Sequence, residues 1–231
     1  MTRKLAVFVE GFTEQEFTIR LISELAGKHN ISFEIHRQDK GHLSLVELRA
    51  HLAPFIHVLV ANCCTDNQVK SQIADQYTSL QSAGYSLIIG LRDVYPFVHA
   101  DIPKLESNLN IGLPVGNPAI HMHLAILEIE AWFLEELMHY ERIDPNLTLP
   151  TVIASGFDYL NVRAADLPNP AMTLDCIYKS VGKRYKKKTR HIQRTVSAIS
   201  YEDMYVNVSN KSPDFNKYLM SLEYGMFPTN E

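Results

Sequence analysis

Four acidic residues stand where apolar runs give out. Glu10 closes LAVFVE, Asp93 follows LIIGLR, and Glu128 and Glu130 follow AIHMHLAIL. Carboxylates brought together repel one another unless a cation or a shared proton compensates them. If these runs are neighbouring strands of one sheet, the acids make a seat for a hard divalent cation, Mg2+ or Mn2+, which takes carboxylate oxygens, water and substrate phosphates. Such an ion polarises a phosphoryl oxygen, generates hydroxide or stabilises a leaving oxygen. Taken singly, each acid has a plainer reading: Glu10 offsetting a helix dipole, and Glu128 or Glu130 solvated in a first turn. Glu128 and Glu130 are two apart and cannot face the same way on a helix. One is therefore expected to be a ligand and the other an outer or surface group, unless the backbone there is extended. Glu14 and Glu16 are expected to face solvent or to cap a helix.

A second group is basic. From Lys179 to Arg194 the chain holds eight Lys and Arg and no acidic residue. Lys183, Arg184, Lys186, Lys187, Lys188 and Arg190 would attract a phosphate backbone in a salt-sensitive way. Tyr185, set among them, would stack on a base. A solvated loop or helix face accounts for the same run without a ligand. His121 and His123 alternate on a predicted strand and share a side, as metal ligands or as half-buried sheet histidines. Neither a dinucleotide fingerprint nor a phosphate-binding glycine loop is present, which argues against ATP hydrolysis by this chain alone.

The elements that must position these groups read as alternating strands and helices. The chain has 231 residues, 46% apolar and 21% charged, with a net charge of -4, enough for a sizeable core. A strand over 5–10 is followed by a helix capped at Thr13, with Glu16 completing a capping box. Then come a strand from Ile31, a helix over SLVELRAHL, a strand in FIHVLVANC, a helix ending near Gly84 and a strand in YSLIIGL. That order predicts an α/β fold with a mostly parallel sheet flanked by helices, whose ligands lie beyond the carboxyl ends of the strands. After a Pro-rich loop, AIHMHLAIL makes a fifth strand and EIEAWFLEELMHY one helix; residues 141–173 read as irregular and the remainder as helical. The expected division is 1–140 as the α/β domain and 141–231 as a mainly helical C-terminal extension carrying the basic segment. Cys63, Cys64 and Cys176 form neither a disulfide framework nor a zinc knuckle, which fits a cytoplasmic protein. No apolar run reaches membrane-spanning length, so no membrane partner is expected.

The motifs, in their order, resemble the Toprim-like proteins, and among them a small stand-alone branch. The first is VEGFTE over Val9 to Glu14, a strand ending in Glu-Gly. The second is RDVY over Arg92 to Tyr95, an acidic strand end of the Asp-x-Tyr kind. The third is Glu128-Ile129-Glu130-Ala131-Trp132. Tyr185 and Lys187 match a Tyr-x-Lys segment, and Ser212, Pro213 and Phe215 a Ser-Pro-x-Phe segment before a last helix. The resemblance implies a Toprim-like fold and Mg2+-dependent making or breaking of phosphodiester bonds in DNA or RNA, as in topoisomerases, primases and small nucleases. It implies Glu10, Asp93, Glu130 and Lys187 as the catalytic group, with Lys187 neutralising charge on the transferring phosphoryl. Glu10 serves as metal ligand or as general base. Partnership with an ATPase and a place in phage defence are implied in the same way. Two positions depart from the pattern: Tyr95 stands where a second Asp is usual, and Leu127 where the branch has His. Two rival functions stand beside the nuclease: a non-catalytic module binding nucleic acid or an ATPase, and an enzyme acting on a small phosphorylated molecule.

Overall fold

The computed structural model describes residues 2–227. Strand β1 (Arg3–Val9) is buried from Leu5 to Val9, the pattern of a strand covered on both faces. It lies inside a six-stranded sheet ordered β3-β2-β4-β1-β5-β6. The others are β2 (Ile31–Asp39), β3 (His42–Arg49), β4 (Ile56–Asn62), β5 (Leu87–Asp93) and β6 (Ala119–Ala125). β1 runs parallel to β4 and to β5, and β2 parallel to β4, with Val9 level with Asn62 and Leu91. β3 alone of the paired strands described is antiparallel, to β2. The sheet is thus mixed and mostly parallel, as the α/β reading requires.

Two helices follow from the spacing of apolar residues, α1 (Phe12–Ala26) and α2 (Asp66–Ser82). Val69, Ile73, Tyr77 and Leu80 of α2 pack on Ala6, Phe8, Leu59, Ala61 and Ile88 of the sheet, forming one core layer. On the other face Gly225 of the last helix (Pro213–Met226) comes so close that a Cβ there would lie 3.0 Å from methyls of both Leu5 and Leu87. Thr18 of α1 joins the same layer through a 2.7 Å hydrogen bond with the Tyr218 hydroxyl.

By contact in space the chain forms two compact units. The first comprises Met1–Arg92, Pro103–Leu124 and Lys217–Glu231, the second Asp93–Ile102 and Ala125–Asn216. The first holds the sheet with α1 and α2. The second is mainly helical, with α4 (Glu130–Glu135), α5 (His139–Ile143), α6 (Leu149–Ala154), α7 (Pro170–Lys179) and α8 (Thr189–Ala198); α3 (Ile102–Asn108) precedes β6. Among the described residues no helix is long and apolar enough to cross a membrane.

Several local expectations are corrected. SLVELRAHL is strand β3, because Lys40 (φ 48°) and Gly41 (φ 88°) make a two-residue turn of the kind that closes hairpins. β3 is an edge strand with Leu45, Val46 and Leu48 more than half exposed, so these three mark no buried face and their helical spacing is accidental. α1 begins at Phe12, with Gly11 at the N-cap position and no side-chain cap; Thr13 and Glu14 are buried in its first turn. Glu14 therefore does not face solvent. The helix expected over EIEAWFLEELMHY is two, α4 and α5. The buried Glu136 carboxylate breaks it by accepting the amides of Met138 (2.7 Å) and His139 (3.0 Å). The stretch 141–173 contains α6 and the start of α7, the latter capped by Asn169 accepting from the Met172 amide.

The hairpin makes a prediction whose sign is decisive. Gly41→Ala is expected to cost about 1–2 kcal/mol by forcing a side chain into left-handed backbone, and Lys40→Asn to gain about 0.5 kcal/mol. Urea denaturation of the two variants checks both signs, and a Gly41→Ala protein as stable as the parent would speak against the left-handed turn.

Candidate metal centre

The site is built in the second unit. Asp93 is the last residue of β5 and is buried. Beyond it the Val94 amide donates to the Ala125 carbonyl (2.9 Å) and the Tyr95 amide to the Leu127 carbonyl (2.7 Å), which ties the two segments together. Leu127 sits at φ 61°, and the Glu128 amide closes a three-residue turn on the Ile126 carbonyl at 3.0 Å. A leucine in that conformation costs of order 1–3 kcal/mol and persists only where its surroundings hold it. Here Leu127 is buried and its carbonyl engaged. Asp214, in the Ser-Pro-x-Phe segment, accepts from the Ile126 amide (2.9 Å) and the Trp132 indole (2.7 Å) on either side of the turn.

The turn answers how two glutamates two apart reach one place. Glu128 lies before α4, which begins at Glu130, so helical geometry does not separate them. One ligand oxygen each from Asp93, Glu128 and Glu130 lies within 4.8 Å of the others, and all three residues are buried. Neither glutamate is a surface group.

Every member of this triad uses its two oxygens differently. Asp93 Oδ1 accepts from the Ile129 amide (3.2 Å), Glu128 Oε2 from the Ala171 amide at the start of α7 (3.1 Å), and Glu130 Oε1 from the Tyr185 hydroxyl (2.7 Å). The other oxygens turn to one ammonium: Lys187 Nζ is 3.0 Å from Glu128 Oε1, 3.4 Å from Glu130 Oε2 and 4.0 Å from Asp93 Oδ2. The donors are hard oxygens fixed in a buried cluster, a set able to coordinate a divalent cation such as Mg2+ or Mn2+.

The basic run is redistributed. Asp175 of α7 takes a two-pronged bond from Arg184 (3.0 Å on each oxygen), a contact from Lys186 (3.0 Å) and the Tyr185 amide (2.8 Å). Tyr185, expected to stack on a base, is buried with its hydroxyl on Glu130, so its ring does not serve as a platform. Lys183 lies 3.9 Å from Asp144. Lys188 and Arg190 are exposed at the start of α8. Sequence reading missed Asp175 and the Ala171 amide, since neither lies at a strand end or in the basic run.

The remaining candidates belong to the first unit. Glu10 is half-buried directly after β1, and a Cβ on the adjoining Gly11 would meet the Glu14 carboxylate at 2.9 Å. His121 Nδ1 and His123 Nε2 each lie 3.0 Å from the Ser221 hydroxyl. Burial pushes His123 down to about 4 and His121 in the same direction, so both are neutral sheet histidines at pH 7.

No family model matches the chain, and comparisons with curated proteins and with solved structures find no significant match.

Asp175 yields a pH-dependent prediction. The Arg184 guanidinium, followed by the Lys186 ammonium and the Tyr185 amide, holds its carboxyl well below the usual carboxylate range against the opposing effect of burial. A carboxyl lowered by folding stabilises fully above its unfolded pKa of about 4 and loses that contribution as pH falls toward its folded value. In Asp175→Asn the thermal midpoint should fall less steeply than in the parent below about pH 4. At neutral pH trypsin should cut faster after Arg184 and Lys186, and equal rates would mean that Asp175 does not hold the segment.

Proposed function

We propose that the protein is a metal-dependent nuclease that hydrolyses phosphodiester bonds in DNA or RNA, on a Toprim-like sheet. The observation carrying this reading is the buried triad of Asp93, Glu128 and Glu130 with Lys187 set on it. Mg2+ or Mn2+ bound there would supply Lewis-acid polarisation of a phosphoryl oxygen. The chain's own residues do the rest. Asp93, Glu128 and Glu130 hold the ion, while the Ile129 and Ala171 amides and the Tyr185 hydroxyl keep the carboxylates aimed. Lys187 neutralises charge on the transferring phosphoryl group. Lys188 and Arg190, exposed beside it, attract the sugar-phosphate backbone. Glu10 enters on the likeness of VEGFTE to the Toprim motif, as ligand or as base, and an unchanged metal affinity in Glu10→Gln would remove it. An ATPase partner and a role in phage defence rest on the same likeness.

One observation favours a non-catalytic nucleic-acid or ATPase-binding module: Tyr95, where a further carboxylate is usual, is 51% exposed and brings no acid. Another favours a small phosphorylated substrate, since Arg184 and Lys186 are already committed to Asp175. Cleavage assays with Mg2+ and Mn2+ on single- and double-stranded DNA and RNA decide among these. Asp93→Asn and Glu130→Gln are each expected to lower cleavage by about 100-fold or more. Metal binding without cleavage of any nucleic acid would move the assignment to one of the rivals.

A further inference from the structure

Taking the metal reading as its basis, the geometry points to Lys187 as an internal cation that trades places with the metal ion. The three carboxylates present an ordered division of labour. One oxygen of each is held by a neutral donor fixed in the fold, namely the Ile129 amide, the Ala171 amide and the Tyr185 hydroxyl. The second oxygen of each faces Lys187 Nζ, at 4.0 Å from Asp93, 3.0 Å from Glu128 and 3.4 Å from Glu130. The ammonium thus stands where the three outward oxygens converge, which is the position a divalent ion bonded to them would take. Two cations cannot share that space, because the neutral donors do not screen one from the other and the surroundings are buried. Neutral donors on the far oxygens would stay in place during an exchange, so the triad would keep its shape whichever cation it holds.

The lysine is also built to leave. Its backbone follows Tyr185 and Lys186, which Asp175 and Glu130 secure, while its own side chain is 45% exposed and carries a flexible four-carbon stem. Metal entry would drive the ammonium outward beside Lys188 and Arg190, where it becomes available to a phosphate group. Metal occupancy and the readiness of Lys187 for substrate would then be one coupled event, and the unloaded site would be held closed by its own charge.

The test is calorimetric titration of Mn2+ into the full chain at one pH and ionic strength, comparing the parent with Lys187→Met and Lys187→Arg. Exchange predicts that Lys187→Met binds Mn2+ at least tenfold more tightly, while Lys187→Arg stays close to the parent. Equal or weaker binding by Lys187→Met overturns the exchange and leaves the metal site standing. Binding by neither protein overturns both. Should Lys187→Met fail to fold, as judged by circular dichroism, labelling of the parent decides: acetylation of Lys187, followed by mass spectrometry, must rise severalfold at saturating Mn2+. An unchanged labelling rate overturns the proposal.

Discussion

Charge compensation of three buried carboxylates is the constraint on which the second unit depends. The three carboxylates offer oxygens within 4.8 Å of one another, and at the effective dielectric of about 20 that suits protein sites, like unit charges that close repel by about 3 kcal/mol or more. Bringing three together is tolerable only if donors are brought with them. Those donors come from distant parts of the chain: Ile129 at the start of α4, Ala171 at the start of α7, and Tyr185 and Lys187 between α7 and α8. The unusual turn at Leu127 belongs to the same account. Its strain is held by Asp214 on both flanks and by the Tyr95 amide, and its effect is to keep Glu128 off the helix that carries Glu130.

What was legible in the sequence follows from burial. β1, β4 and β5 are covered on both faces, so they appear as unbroken apolar runs, and the acid at the end of β5 is conspicuous against them. β3 was illegible for the opposite reason, since an exposed edge strand leaves its side chains free of any required alternation. The convergence of Glu128 and Glu130 was hidden because leucine is a poor marker of left-handed backbone, and nothing else in AILEIEAWF signals a turn. Lys187 was found through its motif, but its contact with all three acids depends on Asp175, whose importance has no local sequence signature.

The basic segment illustrates how composition overstates available charge. Its run of cations reads as one phosphate-binding strip. In the fold Arg184 and Lys186 are paired with Asp175, and Lys187 with the triad. These pairs organise the segment, which leaves Lys188 and Arg190 as exposed cations at the start of α8.

The interleaving of the two units bears on the order in which a ribosome could deliver a finished protein. β1 is made well before the helix Pro213–Met226, yet its Leu5 packs under Gly225 of that helix, and α1 waits for the Tyr218 hydroxyl to meet Thr18. The core around β1 therefore stays incomplete until that helix has emerged. Shortening that helix would injure a strand made long before it.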